Sequence, residues 1–476
     1  MKSPMTRREL LRMAGVGSAG LLLAACQPKV VEVERIVEQT VVVTEEKVVK
    51  EAVEVAKEVT RVVEVERGAE GPAPLPPTSL RFAFPGHAQT YAEYTTAVFQ
   101  ARHPDVQVDL EPVAGDYNQR FFTMAAGGTL PEANWTSDGQ VIPFVETGVS
   151  MDMQPMVDAD PEPLVSDVYP IMLGLGQYKG GLYMIPWAAD APVMYYNKTL
   201  FQNAGVPEPP PEGLAVNDWI ESLKAIVDED RQIYGWLGNE SWWAVYVPWM
   251  YGFGGAFFNE DLTQVVVNSP ESVEACQTLA DTYVKHKFSV PKGVDLGGNA
   301  FLLGMAACHF TNRHLCKSLR DVGAEFEWDV CLPPRQPVKH VAGAGTMGTS
   351  VSTAAAQRDK VQATFELVKT IVTPAVQSAL ARQYLIIPAL QAMATDPVWY
   401  DLPAPPENRD VFLEVPKIAI TPPTPLDDNC GTVYVGEIQI AMATAWEEMI
   451  IAGIPAQEAL DKAANRINSC MAAGGV

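Results

Sequence analysis

The chain has 476 residues, with 34 Lys and Arg against 58 Asp and Glu, and a formal net charge of −24. Nucleic acid and anionic lipid are thereby excluded as main partners, because either contact needs a surplus of Lys and Arg. A hydrophobic fraction of 47% with ten Trp fills cores readily, and the roughly 400 residues beyond the first 70 exceed one core, which predicts two lobes.

The chain begins with a basic cluster and a short apolar stretch, MTRRELLRMAGVGSAGLLLAACQPK. From Met13 to Ala25 the apolar run reaches about half of the ~20 residues needed to cross a bilayer core, and Gly15, Gly17, Ser18 and Gly20 dilute it. It does not read as a span. Thr6 to Arg12 resembles the twin-arginine export signal, and Leu23-Ala24-Ala25-Cys26 resembles a lipobox. Residues 1–25 are therefore expected to be removed, leaving Cys26 diacylated on the outer face of a bacterial cell membrane, after export in the folded state. Their loss takes away four basic residues and one acidic residue, so the net charge moves from −24 to −27.

Residues 26–78 read as the lipidated N-terminus, a stalk and a linker. VVEVERIVEQTVVVTEEKVVKEAVEVAKEVTRVVEVERG is of low complexity. Val41, Val48, Val55 and Val62 recur at heptad spacing, whereas Thr44, Glu51 and Glu58 leave the companion positions polar. Both a helix of about 60 Å and an extended chain of up to roughly 130 Å stay open. GAEGPAPLPPTS then breaks regular structure ahead of the body.

The body opens with SLRFAF as a strand, then a helix carrying Tyr94, Ala97, Val98 and Ala101 on its apolar side. DVQVDLEPV alternates as a strand, and Tyr117 to Ala126 reads as a second helix. Strand–helix alternation indicates an α/β fold. Amphipathic helices are expected from Ala354 to Val372 and from Glu437 to Ile451. Apart from Cys26, six cysteines (Cys276, Cys308, Cys316, Cys331, Cys430, Cys470) are scattered without CxxC spacing. Some are expected to pair outside the membrane, in an unassigned pattern. His309 and His314 beside Cys308 and Cys316 read as incidental, so neither a metal site nor a cofactor is expected.

The order of phrases resembles the extracellular solute-binding proteins of the sugar-type family 1. The carrying residues are PEANWTSDGQVIPFVETGVSMDMQPM and, above all, YKGGLYMIPWAADAPVMYYNKTLFQNAGVPEPP. NDWIESLKAI, IYGW, WMYGFGGAFFN, VVVNSPESVEACQTLADTYV, FLLGMAACHFTN, CLPP and VAGAGTMGTSVST follow in family order, from about residue 80 to about residue 470. The resemblance implies a two-lobed, periplasmic-binding-protein-like (type II) fold that closes on a ligand and delivers it to the permease subunits of an ABC importer. A monomer is expected. Carrying over the family's crossings, the chain leaves lobe 1 near Asp190-Ala191, returns near Gly304 to Phe310 and crosses again near Gly343 to Thr346. Lobe 1 is then 79–190 with 306–342, and lobe 2 is 191–305 with 343–476.

A carbohydrate needs aromatic platforms for its ring faces and polar groups for its hydroxyl rim. Candidates in loops expected to face the cleft are Tyr91, Trp135 and Asp138, Trp187 and Asp190 at the first crossing, Trp242, Trp243 and Trp249, Asn312 and Arg313, and Gly345 in the Gly-rich crossing. Asp190 ranks first, seven residues before Asn197 of YYNK. Trp135 and Trp249 fit a core equally well, adjacent Trp242 and Trp243 cannot both face one way, and Asp138 and Arg313 also fit an ordinary surface ion pair. RFAFPGH lacks the Trp that many relatives carry after the first strand, which leaves the ligand class open among sugars, polyols and glycerol-phosphate-like molecules.

Three rivals remain. GAGTMG (343–348) matches GxGxxG, but a dinucleotide turn opens directly into a helix, and TSVST alternates as a strand. An exported glycoside hydrolase needs two carboxylates about 5 to 10 Å apart, and nothing in the sequence pairs Asp138 with Asp190. A purely structural tethered lipoprotein leaves the aromatic-rich loops without a role.

Overall fold

The computed structural model describes residues 74–115, 117–189, 192–421, 423–425, 430–434 and 436–474. The signal, Cys26, the stalk and Asp190 lie outside the described residues. Strands β1 (Thr78–Pro85), β2 (Val106–Val113), β3 (Ala133–Ser137), β6 (Ile185–Pro186) and β12 (Met347–Val351) form one mixed sheet in the order β2-β1-β3-β12-β6, with β4 (Gln177–Tyr178) and β5 (Gly181–Leu182) as a small hairpin beside it. A second sheet runs β10-β7-β9-β8, from β7 (Val193–Asn197), β8 (Tyr234–Leu237), β9 (Ala306–Thr311) and β10 (Trp328–Cys331). Between them β11 (Ala342–Gly343) pairs in parallel with β13 (Ala419–Ile420).

The first lobe follows from sequence simply. Phe82 to Pro85 of β1 are all buried, as expected of an interior strand covered on both faces, and β1 pairs in parallel with β2 over its whole length. Helix α1 (Gln89–Arg102) packs on this sheet, but through Ala92, Thr95, Thr96 and Phe99 rather than the expected face, and Tyr94 is exposed. Thr95 tolerates burial because its hydroxyl donates to the Tyr91 carbonyl at 2.8 Å, which removes the desolvation cost of the polar atom. The helices α2 (Tyr117–Ala126) and α3 (Asp138–Glu146) follow β2 and β3.

The second lobe is built on aromatic packing. Helix α4 (Val216–Ile226) contributes Trp219, which meets Trp236 of β8 edge-on at 5.0 Å and Phe288 at 5.8 Å. Helix α5 (Trp243–Gly252) is apolar all round and is buried at nearly every position, as such a helix must be. Helix α6 (Pro270–Val284) packs beside it, and α7 (His314–Asp321) follows β9 and turns Leu315, Cys316 and Leu319 inward. Beyond β12, the helix expected from Ala354 to Val372 is two helices, α8 (Thr353–Gln357) and α9 (Val361–Lys369), broken where Asp359 takes a left-handed φ of 54°. Helices α10 (Pro374–Arg382) and α11 (Val411–Ile418) come next, and α12 (Gly436–Ile450) and α13 (Ala456–Ala472) close the second core around the fully buried Trp446. A disulfide joins Cys430 to Cys470, while Cys276, Cys308, Cys316 and Cys331 remain buried thiols.

The expected chain crossings need correction. Segment 306–342 does not return to the first lobe: β9 is a central strand, hydrogen-bonded to β7 on one edge and β8 on the other, and β10 pairs with β7. Segment 343–476 is likewise divided, because β12 inserts between β3 and β6 and α8 to α11 join the first core, whereas α12 and α13 join the second. The chain therefore stays in the second lobe from β7 to β10 and comes back at β11–β12. Two of the GAGTMG glycines, Gly343 and Gly348, serve close approach there. A Cβ on Gly343 would lie 2.6 Å from Ala244 Cα, and one on Gly348 would lie 2.1 Å from the Ile185 carbonyl.

At the base of the first sheet the Glu132 carboxylate, 1% exposed, meets Arg358 at 2.7 Å and Lys360 at 3.4 Å and accepts from the Arg81 amide at 2.8 Å. It ties β1, β3 and the α8–α9 turn together. Burial raises its pKa, but Arg358, the Arg81 amide and Lys360 outweigh that and hold it below the usual value. A depressed carboxylate stabilises the fold above its unfolded pKa and loses that contribution as pH falls through the folded value. Glu132→Ala is expected to cost about 3 kcal/mol in urea unfolding at pH 7, and the difference from the parent protein should shrink below about pH 4.

Candidate functional site

The carboxyl ends of the parallel strands in both sheets face one another, and open α/β sheets bind ligands at such ends. The loop after β1 supplies His87 and leads into Tyr91; β3 ends at Ser137 and Asp138; Trp187 follows β6. From the second lobe, Trp242 follows β8, and Asn312 and His314 follow β9. Because β12 runs antiparallel to β3, its start brings Gly345, Thr346 and Met347 to the same edge, with Met347 opposite Ser137. Leu385, after α10, completes the wall. These twelve residues enclose a cavity of about 560 Å³, within the usual range for a small-molecule site.

The wall is both aromatic and polar. Tyr91 and Trp187 are stacked with ring centroids 3.9 Å apart and planes 20° from parallel. Trp242, half-buried, caps the start of α5. The Asp138 carboxylate is fixed by two backbone amides, from Gly139 to Oδ1 at 2.8 Å and from Thr346 to Oδ2 at 3.2 Å. In return the Asp138 amide donates to the Thr346 carbonyl at 3.1 Å. Desolvation pushes this carboxyl up to about 6, against the lowering by the Tyr434 phenol and the two amides. Burial together with Asp138 drives Tyr434 well above the usual phenol value. His87 and His314 are reachable by water but flanked by protein, and desolvation lowers both. Each is therefore neutral at pH 7 and able to donate from one ring nitrogen and accept at the other. Asn312 is held by its backbone carbonyl, which accepts from the buried Tyr195 hydroxyl at 3.1 Å.

Six of the residues singled out from sequence thus share this wall: Tyr91, Asp138, Trp187, Trp242, Asn312 and Gly345. Four do not. Trp135 is buried in the first lobe, edge-on to Tyr117 at 5.3 Å and behind His87 at 5.2 Å. Trp243 turns away from Trp242 onto Tyr434, and Trp249 packs between Trp219 and Phe253. Arg313, 2% exposed, sits among the rings of Tyr384, Trp399 and Phe412 at 5.3 to 5.7 Å. Its guanidinium is buried rather than on the surface, and it is not part of the cavity wall. The residues that sequence reasoning passed over, His87, Ser137, His314, Thr346, Met347 and Leu385, mostly sit within a few positions of a strand end, which is the signal that locates them. His309, within β9 itself, is engaged through Nδ1 with the Leu237 carbonyl at 2.9 Å. Among the described residues no cluster of His, Cys, Asp and Glu has the geometry to hold a metal ion.

A binding protein of Brucella abortus is 24% identical over 282 residues, a match covering 57% of this chain and 65% of that protein. The chain therefore spans just under two thirds of that relative. A maltotriose-binding protein of Pyrococcus abyssi is 24% identical over 302 residues, covering 63% of each. Among solved structures, an ABC substrate-binding protein of Listeria monocytogenes in complex with cycloalternan shares the fold with a TM-score of 0.74 at 23% identity, over 83% of this chain and 99% of that one. Finally, the family described as bacterial extracellular solute-binding protein matches residues 85–378. With two α/β lobes facing each other across a lined cavity, and more than half its length matched, the chain belongs to the bacterial extracellular solute-binding proteins.

Proposed function

We propose that the chain captures a carbohydrate between its lobes and delivers it to the permease subunits of an ABC importer, held to the outer face of the cell membrane by acyl chains on Cys26. The observation that carries the capture reading is the single cavity wall combining the Tyr91–Trp187 stack and Trp242 with Asp138, Asn312, Ser137, Thr346 and two neutral histidines. Ring faces lie on the aromatic groups, and hydroxyls bond the polar ones. A maltotriose-binding relative and a cycloalternan-bound structural neighbour support a sugar. The segments around β11 and β13 act as the hinge, since a short strand pair between two packed lobes absorbs rotation while both cores stay intact. Asp190, next to this wall in sequence, is retained as a ligand contact. The protein acts by binding, as its match to the solute-binding family supports.

Anchoring rests on the Arg7-Arg8 signal and the lipobox at Cys26. Radiolabelled palmitate fed to expressing bacteria should be incorporated by the parent protein and not by Cys26→Ser; incorporation by the variant would remove the anchor.

A thermal-shift panel of oligosaccharides, with product analysis, tests capture. A matching sugar at a hundred times its Kd should add about 2.7 kcal/mol of stability without turnover, and product release would sink the binding reading. Trp242→Ala should weaken that sugar by about tenfold or more, with little change in unliganded stability. Trp249→Ala should do the reverse, costing about 3 to 5 kcal/mol of stability and sparing affinity at temperatures where the variant stays folded.

The raised Asp138 pKa sets a pH dependence. Its ionised form accepts ligand hydroxyls, so affinity should be level above pH 7 and fall roughly tenfold from pH 7.5 to pH 5. Unliganded stability moves the other way. The folded state holds the proton up to about pH 6, so the contribution of this group declines as pH rises from the ordinary carboxylate value toward 6. His87 and His314 face the same cavity and Tyr434 lies behind Asp138. Calorimetry on Asp138→Asn should therefore show the affinity loss in acid removed, and its persistence would assign the titration to the histidines.

A further inference from the structure

The cavity wall carries a charge that sugar hydroxyls alone leave uncompensated. Among its described residues Asp138 is the only formally charged side chain; no Lys or Arg is present, and His87 and His314 carry no charge at pH 7 to offset it. The nearest cation in sequence, Arg313, is turned into the cage of Tyr384, Trp399 and Phe412. Each Asp138 oxygen accepts one backbone amide, the Tyr434 phenol also acts on the carboxylate, and the roughly four acceptor sites of a carboxylate still leave room for a further donor. Gly345 shows what lies beside it. A Cβ placed there would stand 3.4 Å from Asp138 Oδ2 and 3.6 Å from Trp242 Cζ2, so the carboxylate and the indole flank Gly345, whose missing side chain leaves the gap between them open to a ligand group.

A carboxylate on one side and an aromatic ring on the other is the pairing that holds an ammonium group, by a charge-assisted hydrogen bond and by attraction to the ring face. A phosphate at the same point would meet a like charge with no basic partner. The acidic surface, at −24 overall, also raises the local concentration of cations on approach. Resting on the capture reading, we infer that the cleft selects carbohydrates bearing a basic amine, of the 2-amino-sugar class, with the ammonium between the Asp138 carboxylate and the Trp242 ring beside Gly345. The remaining hydroxyls fall to Asn312, Ser137, Thr346 and the neutral histidines, and ring faces to the Tyr91–Trp187 stack.

Calorimetry on the mature chain at pH 7 tests this with matched sets of one to four units: glucosamine oligomers, their N-acetylated counterparts, malto-oligomers, and glycerol 3-phosphate as the anionic probe. The expected result is at least tenfold tighter binding of one glucosamine set than of its acetylated counterpart, with this advantage shrinking in 0.5 M NaCl and no detectable phosphate binding. Asp138→Asn should compress the advantage to under threefold. Should that variant fail to fold, Gly345→Ala provides the second reading, since its methyl intrudes between the Asp138 carboxylate and the Trp242 indole and should lower glucosamine binding more than acetylated binding. Equal or tighter binding of the acetylated or malto-oligomers would overturn the amine preference and leave capture standing. Failure of every sugar set on folded protein would overturn both.

Discussion

Everything at the cleft depends on one strand pairing: β12 lying antiparallel between β3 and β6. Its ladder draws the returning chain back into the first sheet after an excursion of some 150 residues through the second lobe. That register sets Thr346 against Asp138 in both directions, amide to carboxylate and amide to carbonyl, and aligns the Trp187 amide with the Met347 carbonyl at 3.0 Å. A one-residue slip would send every side chain of β12 to the opposite face and separate the polar and aromatic parts of the wall. Gly348, which admits no side chain against the Ile185 carbonyl, is where that register is enforced.

The α/β class, the first strand and helix, α2 and the helix after β13 were legible because local periodicity and short connections decide them. The lobe assignment was not. Whether Ala306–Thr311 pairs with strands of one lobe or the other is a long-range choice, made by backbone groups on β7 and β8 that lie 72 to 118 residues away, and no local pattern encodes it. The buried face of α1 departs from its apolar stripe for a different reason. Two threonines are buried there, and the Thr95 hydroxyl, bonded to the Tyr91 carbonyl of its own helix, is satisfied without water.

At the site, residue type was informative and orientation was not. Trp242 and Trp243 are neighbours with opposite fates, one on the cavity wall and one against Tyr434, as the geometry of a helix start requires. Arg313 illustrates the limit more sharply: flanked in sequence by two wall residues, it points into a ring cage because its stem and guanidinium face bury well against aromatic surfaces. His87 and His314 fall outside the aromatic, acidic and amide types sought for the site, and an isolated histidine carries no spacing signal. The position of each just beyond a strand end, or at the start of the helix that follows it, is what distinguishes them.

The cysteines carry a consequence for how the second core is held. Cys276, Cys308, Cys316 and Cys331 are sealed in the folded interior, while Cys430 and Cys470 already stand as a pair at the margin of the second core. Disulfides persist in oxidising compartments, and Cys430, though 2% exposed like Cys331, is set apart by its place beside Cys470, 40 residues further along the chain. The bond ties the turn ahead of α12 to the last turns of α13, so the two helices that close the second core share a covalent clasp at one end, while the four remaining thiols lie sealed away from exchange.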